Sequence, residues 1–214
     1  MKHMSRPPFI IKVCGITNEE DASVSIESGA NALGFNFYEK SARYVRPHIA
    51  ARIASKMPEE VLRVGVFVNA SQAQILEIAS EVPLDVVQLY GEEIPAMPLR
   101  VWRAIAAGRC IPPAEGVPEA YLLDAETRSY GGSGKVFDWT LASNYSAPVI
   151  LAGGLDAVNV TQAIETTRPW GVDACSRLEA APGRKDVSRV REFVSAAFQS
   201  FRRIEIENNV GAQR

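Results

Sequence analysis

Short apolar runs alternate with amphipathic helical patterns almost without interruption across this 214-residue chain, and that alternation leaves few architectures open. The apolar runs fall at 9–14, 31–37, 62–68, 85–89, 101–106, 120–124, 148–152 and 171–175. Several are near-continuous hydrophobic stretches rather than in–out alternations, as strands covered on both faces should be. Helical patterns follow at 18–28, 47–57, 71–81, 157–167 and 187–203. In the last of these, Val187, Val190, Val194, Ala197, Phe198 and Phe201 recur at helical spacing with charges between them. The connections after the fourth and fifth strands are short and proline-rich (Pro95, Pro98, Pro112, Pro113, Pro118), which predicts short or irregular helices there. Eight strands with intervening helices predict a single-domain α/β fold, a (β/α)8 TIM barrel over 9–203, ahead of a doubly wound sheet. Residues 1–8 and 204–214 lack the periodicity and are expected to be loose.

Composition narrows the functions such a barrel can serve. A net charge of −2 gives no reason to expect a nucleic-acid or membrane-surface partner. No apolar run approaches the ~18 residues a membrane span needs. The basic start Met1-Lys2-His3-Met4 is followed by Pro7, Pro8 and Lys12, which break up any signal-peptide core. Three widely spaced cysteines, Cys14, Cys110 and Cys175, with no CxxC, argue for reduced thiols and a cytoplasmic location. Two histidines, His3 and His48, make a histidine-centred metal site or triad a poor fit.

In a barrel, functional side chains gather just after the strand ends on one face. Cys14 closes the first strand, with a helix start directly behind it. Thr17 and Glu20 fit a capping box, and Glu19, Glu20 and Asp21 suit the positive end of the helix dipole. Read alone, Cys14 is a small buried hydrophobe, as most free cysteines are. Its company changes that reading. Lys40 to Tyr44, including Arg43, follow the second strand, and Gln88 and Tyr90-Gly91-Glu92 end the fourth. Asp124 ends the sixth, Gly153-Gly154 follow the seventh, and Asp173 to Arg177 end the eighth. Gly153-Gly154, ahead of a helix start near Asp156, offers backbone amides to an anion. Ser176 and Arg177 supply a second half to that phosphate site, with Gly183-Arg184-Lys185 close by. The run Gly131-Gly132-Ser133-Gly134-Lys135 resembles a nucleotide P-loop only superficially, because Ser129 and Val136 stand where that motif needs Gly and Ser or Thr. A closing lid ahead of a short helix at Phe137-Asp138-Trp139 fits it better.

These motifs together resemble the phosphoribosylanthranilate isomerase family of tryptophan biosynthesis. The matching segments are KVCGIT (12–17), GFNFYEKSARYV (34–45), RVGVFVN (63–69), VQLYGEE (87–93), LLD (122–124), YGGSGKVFDW (130–139), LAGGLDAVNV (151–160) and PGRKD (182–186). The resemblance implies an Amadori rearrangement of N-(5-phosphoribosyl)anthranilate to 1-(2-carboxyphenylamino)-1-deoxyribulose 5-phosphate, without cofactor. It implies Cys14 as general base, Asp124 as general acid and Arg43 as holder of the anthranilate carboxylate. A related isomerase of another phosphoribosyl amine and a non-catalytic phosphate-binding barrel are the alternatives. The partner is a small phosphoribosyl substrate, and family members occur as monomers or homodimers.

The chemistry sets its own demands. A thiol at its reference pKa is only about 3% thiolate at neutral pH, so Cys14 needs a nearby positive charge or donor. Lys12 shares its parity and is placed to point into the same barrel. Asp124 must hold a proton, which burial or a neighbouring anion such as Asp173 favours. Tyr90 stands where the family commonly has histidine, and Cys175-Ser176-Arg177 where many members have Ser-Ser-Gly. Without that glycine, the backbone at Arg177 is expected to take a different path. Cys110 and Cys175 are assigned to packing.

Overall fold

The structure, a computed structural model, describes residues 7–91, 95–106, 118–124, 138, 139, 142 and 148–211. Eight parallel strands run in sequence order: β1 (Ile10–Cys14), β2 (Ala32–Asn36), β3 (Leu62–Val68), β4 (Val86–Tyr90), β5 (Arg100–Ala106), β6 (Ala120–Asp124), β7 (Val149–Leu151) and β8 (Gly171–Ala174). β8 pairs back onto β1, with Ile10 opposite Gly171 and Lys12 opposite Asp173, so the sheet closes. Closure leaves no edge strand and excludes the doubly wound alternative. Each strand end lies within one residue of its predicted position.

Strand parity divides the core into two layers. Ile10, Ala32, Leu62, Val64, Val86, Trp102, Ala104, Leu122 and Ile150 pack together inside the barrel. Their neighbours of the opposite parity on each strand, among them Ile11, Val13, Leu33, Phe35, Leu89, Leu123 and Val172, join the helices in an outer layer. Both faces of the strands are therefore buried, which is why they read as unbroken apolar runs. Each large aliphatic chain so buried contributes roughly 1.5–3 kcal/mol.

Among the described residues there are five α-helices: α1 (Glu19–Glu27), α2 (Pro47–Ala54), α3 (Gln72–Glu81), α4 (Val160–Thr167) and α5 (Val187–Gly211). Residues 95–99, between β4 and β5, carry no helix.

Helix α2 ends at Ala54 rather than 57, and three other local readings need correction. The cap of α1 is Asn18, whose side chain accepts from the Asp21 amide at 2.9 Å. Thr17, the predicted cap, instead donates its hydroxyl to the Gly183 carbonyl at 2.6 Å, and a complete capping box occurs at Ser71 and Gln74 on α3. Helix α4 starts at Val160 rather than 157. The Asp156 carboxylate accepts from the Val158 and Asn159 amides at 2.9 and 3.2 Å and holds that stretch as a turn. Helix α5 continues to Gly211 instead of loosening at Ile204. The apolar pattern ends there because the helix has passed the barrel, while Arg202–Glu205 and Arg168–Glu207 pairs at 2.9 and 3.0 Å accompany its exposed extension. Extending a formed helix is easier than starting one.

At the closing seam Gly171 has no room for a side chain. A Cβ built there lies 2.6 Å from Ile10 Cβ and 2.9 Å from the Ile10 carbonyl oxygen. Gly171→Ala must push β1 and β8 apart, so it is expected to lower unfolding stability by roughly 1–3 kcal/mol. Urea denaturation measures this, and an unchanged midpoint would show the seam to be looser than described.

Candidate active site

The strand ends open into a cavity that brings Cys14, Asp124, Gly153, Gly154, Asp173, Ser176 and Arg177 together. These residues come from β1, β6, β8 and the segments after β7 and β8, so the barrel unites positions up to 163 residues apart. Asn36, Gln88, Tyr90 and Cys175 also line it. Cys14 points inward because it shares the parity of Ile10 and Lys12, whose side chains fill the barrel.

Beneath Cys14 lies a buried charge pair. Lys12 Nζ is 2.8 Å from Asp173 Oδ2, and the lysine side chain is 0% exposed. Burial opposes the lysine's charge, but Asp173 and Cys14 outweigh it and hold the ammonium well above its usual range. Burial pushes the Asp173 carboxyl up to about 7 against the pull of Lys12, and negative charge on Cys14 and Asp124 adds to the rise. Its second oxygen, Oδ1, is buried without a hydrogen-bond partner among the described residues. The Cys14 thiol is pulled well below its usual range by the neighbouring Cys175 thiol first and then by the Lys12 charge, against the cost of burial.

A second cluster supports this floor. After β8 the chain makes a 3₁₀ turn (Ser176–Leu178) and a short antiparallel hairpin of β9 (Glu179–Ala181) and β10 (Arg184–Lys185). Glu179 accepts from Arg43 Nε at 2.9 and 3.1 Å and from Arg43 Nη2 at 2.7 Å. The same carboxylate takes Lys185 Nζ at 3.1 Å. Burial works against its charge, yet Arg43 and Lys185 keep Glu179 below the usual carboxylate range. Lys185, expected near the phosphate, is instead buried on Glu179 and the Cys175 carbonyl. Arg184 is exposed, 3.8 Å from Glu20.

Asp124 occupies the opposite wall. Tyr90 Oη donates to its Oδ2 at 3.4 Å and receives Gln88 Nε2 at 3.3 Å. Burial first, and then the negative charge of Asp124, push the Tyr90 phenol well above its usual range, so it remains a neutral donor. Beside this wall Gly153 and Gly154 adopt successive left-handed φ values of 77° and 64°. Two such residues expose consecutive amides that a side chain would obstruct. Asn159 Nδ2 donates to the Gly154 carbonyl at 2.8 Å and fixes the loop. Arg177 avoids positive φ by entering the 3₁₀ turn, and its Nη1 reaches Asp156 Oδ2 at 2.7 Å.

Gly131, Gly132, Ser133, Gly134 and Lys135 lie outside the described residues, as does Cys110. Sequence reading placed Gln88 at a strand end and set Cys175 in the run after the eighth strand while assigning it to packing; it missed Asn36, whose inward parity was the available signal, and Glu179, for which no local signal exists. Among the described residues no helix is long and apolar enough to cross a membrane.

Comparison with known proteins agrees with this geometry. The family model for N-(5'-phosphoribosyl)anthranilate (PRA) isomerase matches residues 11–196. The N-(5'-phosphoribosyl)anthranilate isomerase of Solibacter usitatus is 50% identical over 196 residues, which cover 88% of this chain and 97% of that protein. The crystal structure of phosphoribosyl anthranilate isomerase from Thermotoga maritima superposes with a TM-score of 0.78 at 42% identity, covering 89% of this chain and 99% of that one. A further crystal structure of the enzyme, in complex with reduced 1-(o-carboxyphenylamino)-1-deoxyribulose 5-phosphate, superposes with a TM-score of 0.75 at 38% identity over the same shares of the two chains. With a family model matched from the first strand to the last helix, this barrel belongs to the phosphoribosylanthranilate isomerases of tryptophan biosynthesis.

Proposed function

We propose that Cys14 is the general base and Asp124 the general acid of the isomerisation of N-(5'-phosphoribosyl)anthranilate. The observation that carries this is their placement at the ends of β1 and β6 on one cavity, beside the paired left-handed glycines. The sugar phosphate sits on the amides of Gly153 and Gly154 and on Ser176, with Arg177 exchanging Asp156 for phosphate. Arg43, oriented by Glu179, presents its Nη1 end to the anthranilate carboxylate, and Asp173 Oδ1 accepts from a ribose hydroxyl. The substrate is then stretched between the two catalytic groups. The reaction takes place in the cytoplasm, where the thiols stay reduced.

In the first step the Asp124 carboxyl gives its proton to the ribose ring oxygen. The C1–O bond breaks, and the anthranilate nitrogen lone pair forms a C=N bond, giving an iminium. In the second step the Cys14 thiolate removes the C2 proton. The C2–H electron pair forms the C1=C2 bond and neutralises the nitrogen, leaving an enolamine. Proton return to C1, with loss of the proton on the C2 oxygen, yields the aminodeoxyribulose. Atoms and oxidation level balance over the whole, as an isomerisation requires.

Removing either group is expected to lower kcat by at least about 100-fold with the fold retained. The substrate, formed in place by a phosphoribosyltransferase from anthranilate and phosphoribosyl pyrophosphate, loses fluorescence as it is consumed. Cys14→Ser and Asp124→Asn should each nearly abolish that loss, and full turnover in either variant removes its residue from the mechanism. In the wild type kcat/KM should rise with pH as Cys14 ionises, at a midpoint on the acid side of the usual thiol range. It should fall again when Asp124 loses its proton.

Lys12→Met tests the floor of the site. Asp173 titrates at about 7 in the folded protein against an ordinary 3.8. The folded state therefore binds the extra proton between those values, and stability falls as pH rises through that window. Without the ammonium the fall continues above about 7. The variant's stability deficit should accordingly grow with alkaline pH in urea titrations, and a deficit independent of pH would exclude charge coupling as its cause.

A further inference from the structure

Lys185 is a buried cation that the mechanism above does not use. Its side chain is 1% exposed, and its Nζ lies 3.1 Å from Glu179 Oε1 and 3.2 Å from the Cys175 carbonyl oxygen. Glu179 does not need it as a counter-ion, because Arg43 already binds both carboxylate oxygens at 2.7 to 3.1 Å. A buried ion pair is also a poor way to stabilise a fold. What Lys185 adds is reach: it joins the carboxylate that orients Arg43 to the peptide that precedes Ser176. We propose that Lys185 is a positioning residue of the isomerase, whose one ammonium sets both the Arg43 guanidinium, through Glu179, and the Ser176 turn, through the Cys175 carbonyl. The inference rests on the reading of Arg43 as holder of the anthranilate carboxylate and of Ser176 as part of the phosphate site.

The two contacts govern orientation at opposite ends of the substrate. At one end, the Glu179 carboxylate accepts from Nε and Nη2 of Arg43, so a rotation of the carboxylate turns the guanidinium with it and moves Nη1. Lys185 Nζ on Oε1 opposes that rotation. At the other end, the Cys175 carbonyl accepts twice, from the Leu178 amide at 3.1 Å, which closes the 3₁₀ turn, and from Lys185. A trans peptide points its N–H opposite to its C=O, so fixing that carbonyl fixes the direction of the Ser176 amide. Ser176 lines the cavity together with Gly153 and Gly154. Lys185 reaches both partners from a fixed base. Its own amide donates to Asp21 Oδ2 at 2.9 Å, and the Gly183 carbonyl accepts the Thr17 hydroxyl at 2.6 Å, so the hairpin is anchored to the start of α1. Without the lysine side chain the fold keeps its other ties. Glu179 retains Arg43 and the Gly183 amide, and the Cys175 carbonyl retains Leu178. Both anion-holding groups lose a restraint together. Because they hold the substrate alike in the ground and transition states, the loss falls on KM rather than kcat.

Three competitive inhibitors separate the two ends: the borohydride-reduced product, the same compound without its carboxylate, and the same compound without its phosphate. Lys185→Met should raise the inhibition constants of both truncated compounds by about three- to tenfold. KM should rise by about tenfold, with kcat within about threefold of the wild type. If Lys185→Met does not fold, Lys185→Gln, uncharged and one bond shorter, carries the same comparison. A change confined to one truncated compound, or to neither, overturns the inference, as does a fall in kcat with both inhibition constants in place. A loss of stability in urea without these shifts likewise reduces Lys185 to a structural part and overturns it. In the wild type each truncation should weaken binding relative to the complete inhibitor. If removing the carboxylate or the phosphate costs the wild type nothing, the reading of Arg43 or of Ser176 has failed, and the inference falls with it. If both truncations cost the wild type affinity and Lys185→Met leaves the constants unchanged, the inference alone has failed.

Discussion

A lysine with no solvent exposure, bonded at 2.8 Å to a carboxylate at the seam where the barrel closes, is the interaction on which the site depends. Such a pair is a poor way to stabilise a core. Desolvating each ion costs several kcal/mol by rough reckoning, and apolar side chains of similar volume commonly do as well. Lys12 and Asp173 make better sense as the base of the chemistry above them. Lys12 attracts two anions, Asp173 beside it and Cys14 two residues on, and burial keeps that attraction from being screened. Because Asp173 titrates at about 7, protonating it leaves the ammonium more fully to the thiolate. The floor of the barrel thus favours charge on Cys14 most strongly when Asp173 is neutral.

Glu179 plays the corresponding part on the rim. One carboxylate gathers Arg43 from the β2 side, Lys185 from β10 and the Gly183 amide, the last at 3.3 Å. Arg43 is bound through two nitrogens, which fixes the plane of the guanidinium as well as its position. The hairpin that carries Glu179 and Lys185 is tied down in turn, since the Lys185 amide donates to Asp21 of α1 at 2.9 Å. The first helix, the β2 loop and the last hairpin therefore converge on the Cys14 side of the cavity. Asp124 on the far side answers to a separate set, Tyr90 and Gln88 of β4. Cys14 and Asp124 are thereby held in different electrostatic surroundings, as the opposite protonation states proposed for them require.

The architecture was legible because it is written in local patterns. Strands buried on both faces leave apolar runs, and parity alone placed Lys12 and Cys14 inside together. What escaped was decided by contacts distant in sequence. Thr17–Glu20 and Asn18–Asp21 both have the spacing of a helix cap, and only the Gly183 carbonyl, far along the chain, takes the Thr17 hydroxyl and leaves the cap to Asn18. The link from Arg43 to Glu179 spans 136 positions, so nothing near either residue announces it. Cys175 was assigned to packing for the same reason, because its neighbours Glu179 and Lys185 belong to strands of three and two residues, too short to show periodicity. Helix α5 outran its pattern because a helix already formed needs no apolar face to continue.

The chain's departures from the common family pattern fall where the fold can absorb them. Cys14, Asp124 and Asp173 stand on strands, where a change of position would shift side chains between the barrel interior and the outer layer. Arg177 and Cys175 lie in the segment after β8, whose backbone is free to choose another turn. There the chain makes a 3₁₀ turn whose Arg177 pairs with Asp156 and lines the same cavity as the two glycines. Tyr90 sits on a strand and presents a donor to Asp124 at 3.4 Å. The rigid layer thus carries the groups proposed to move protons, and the turns above it carry those proposed to hold the substrate.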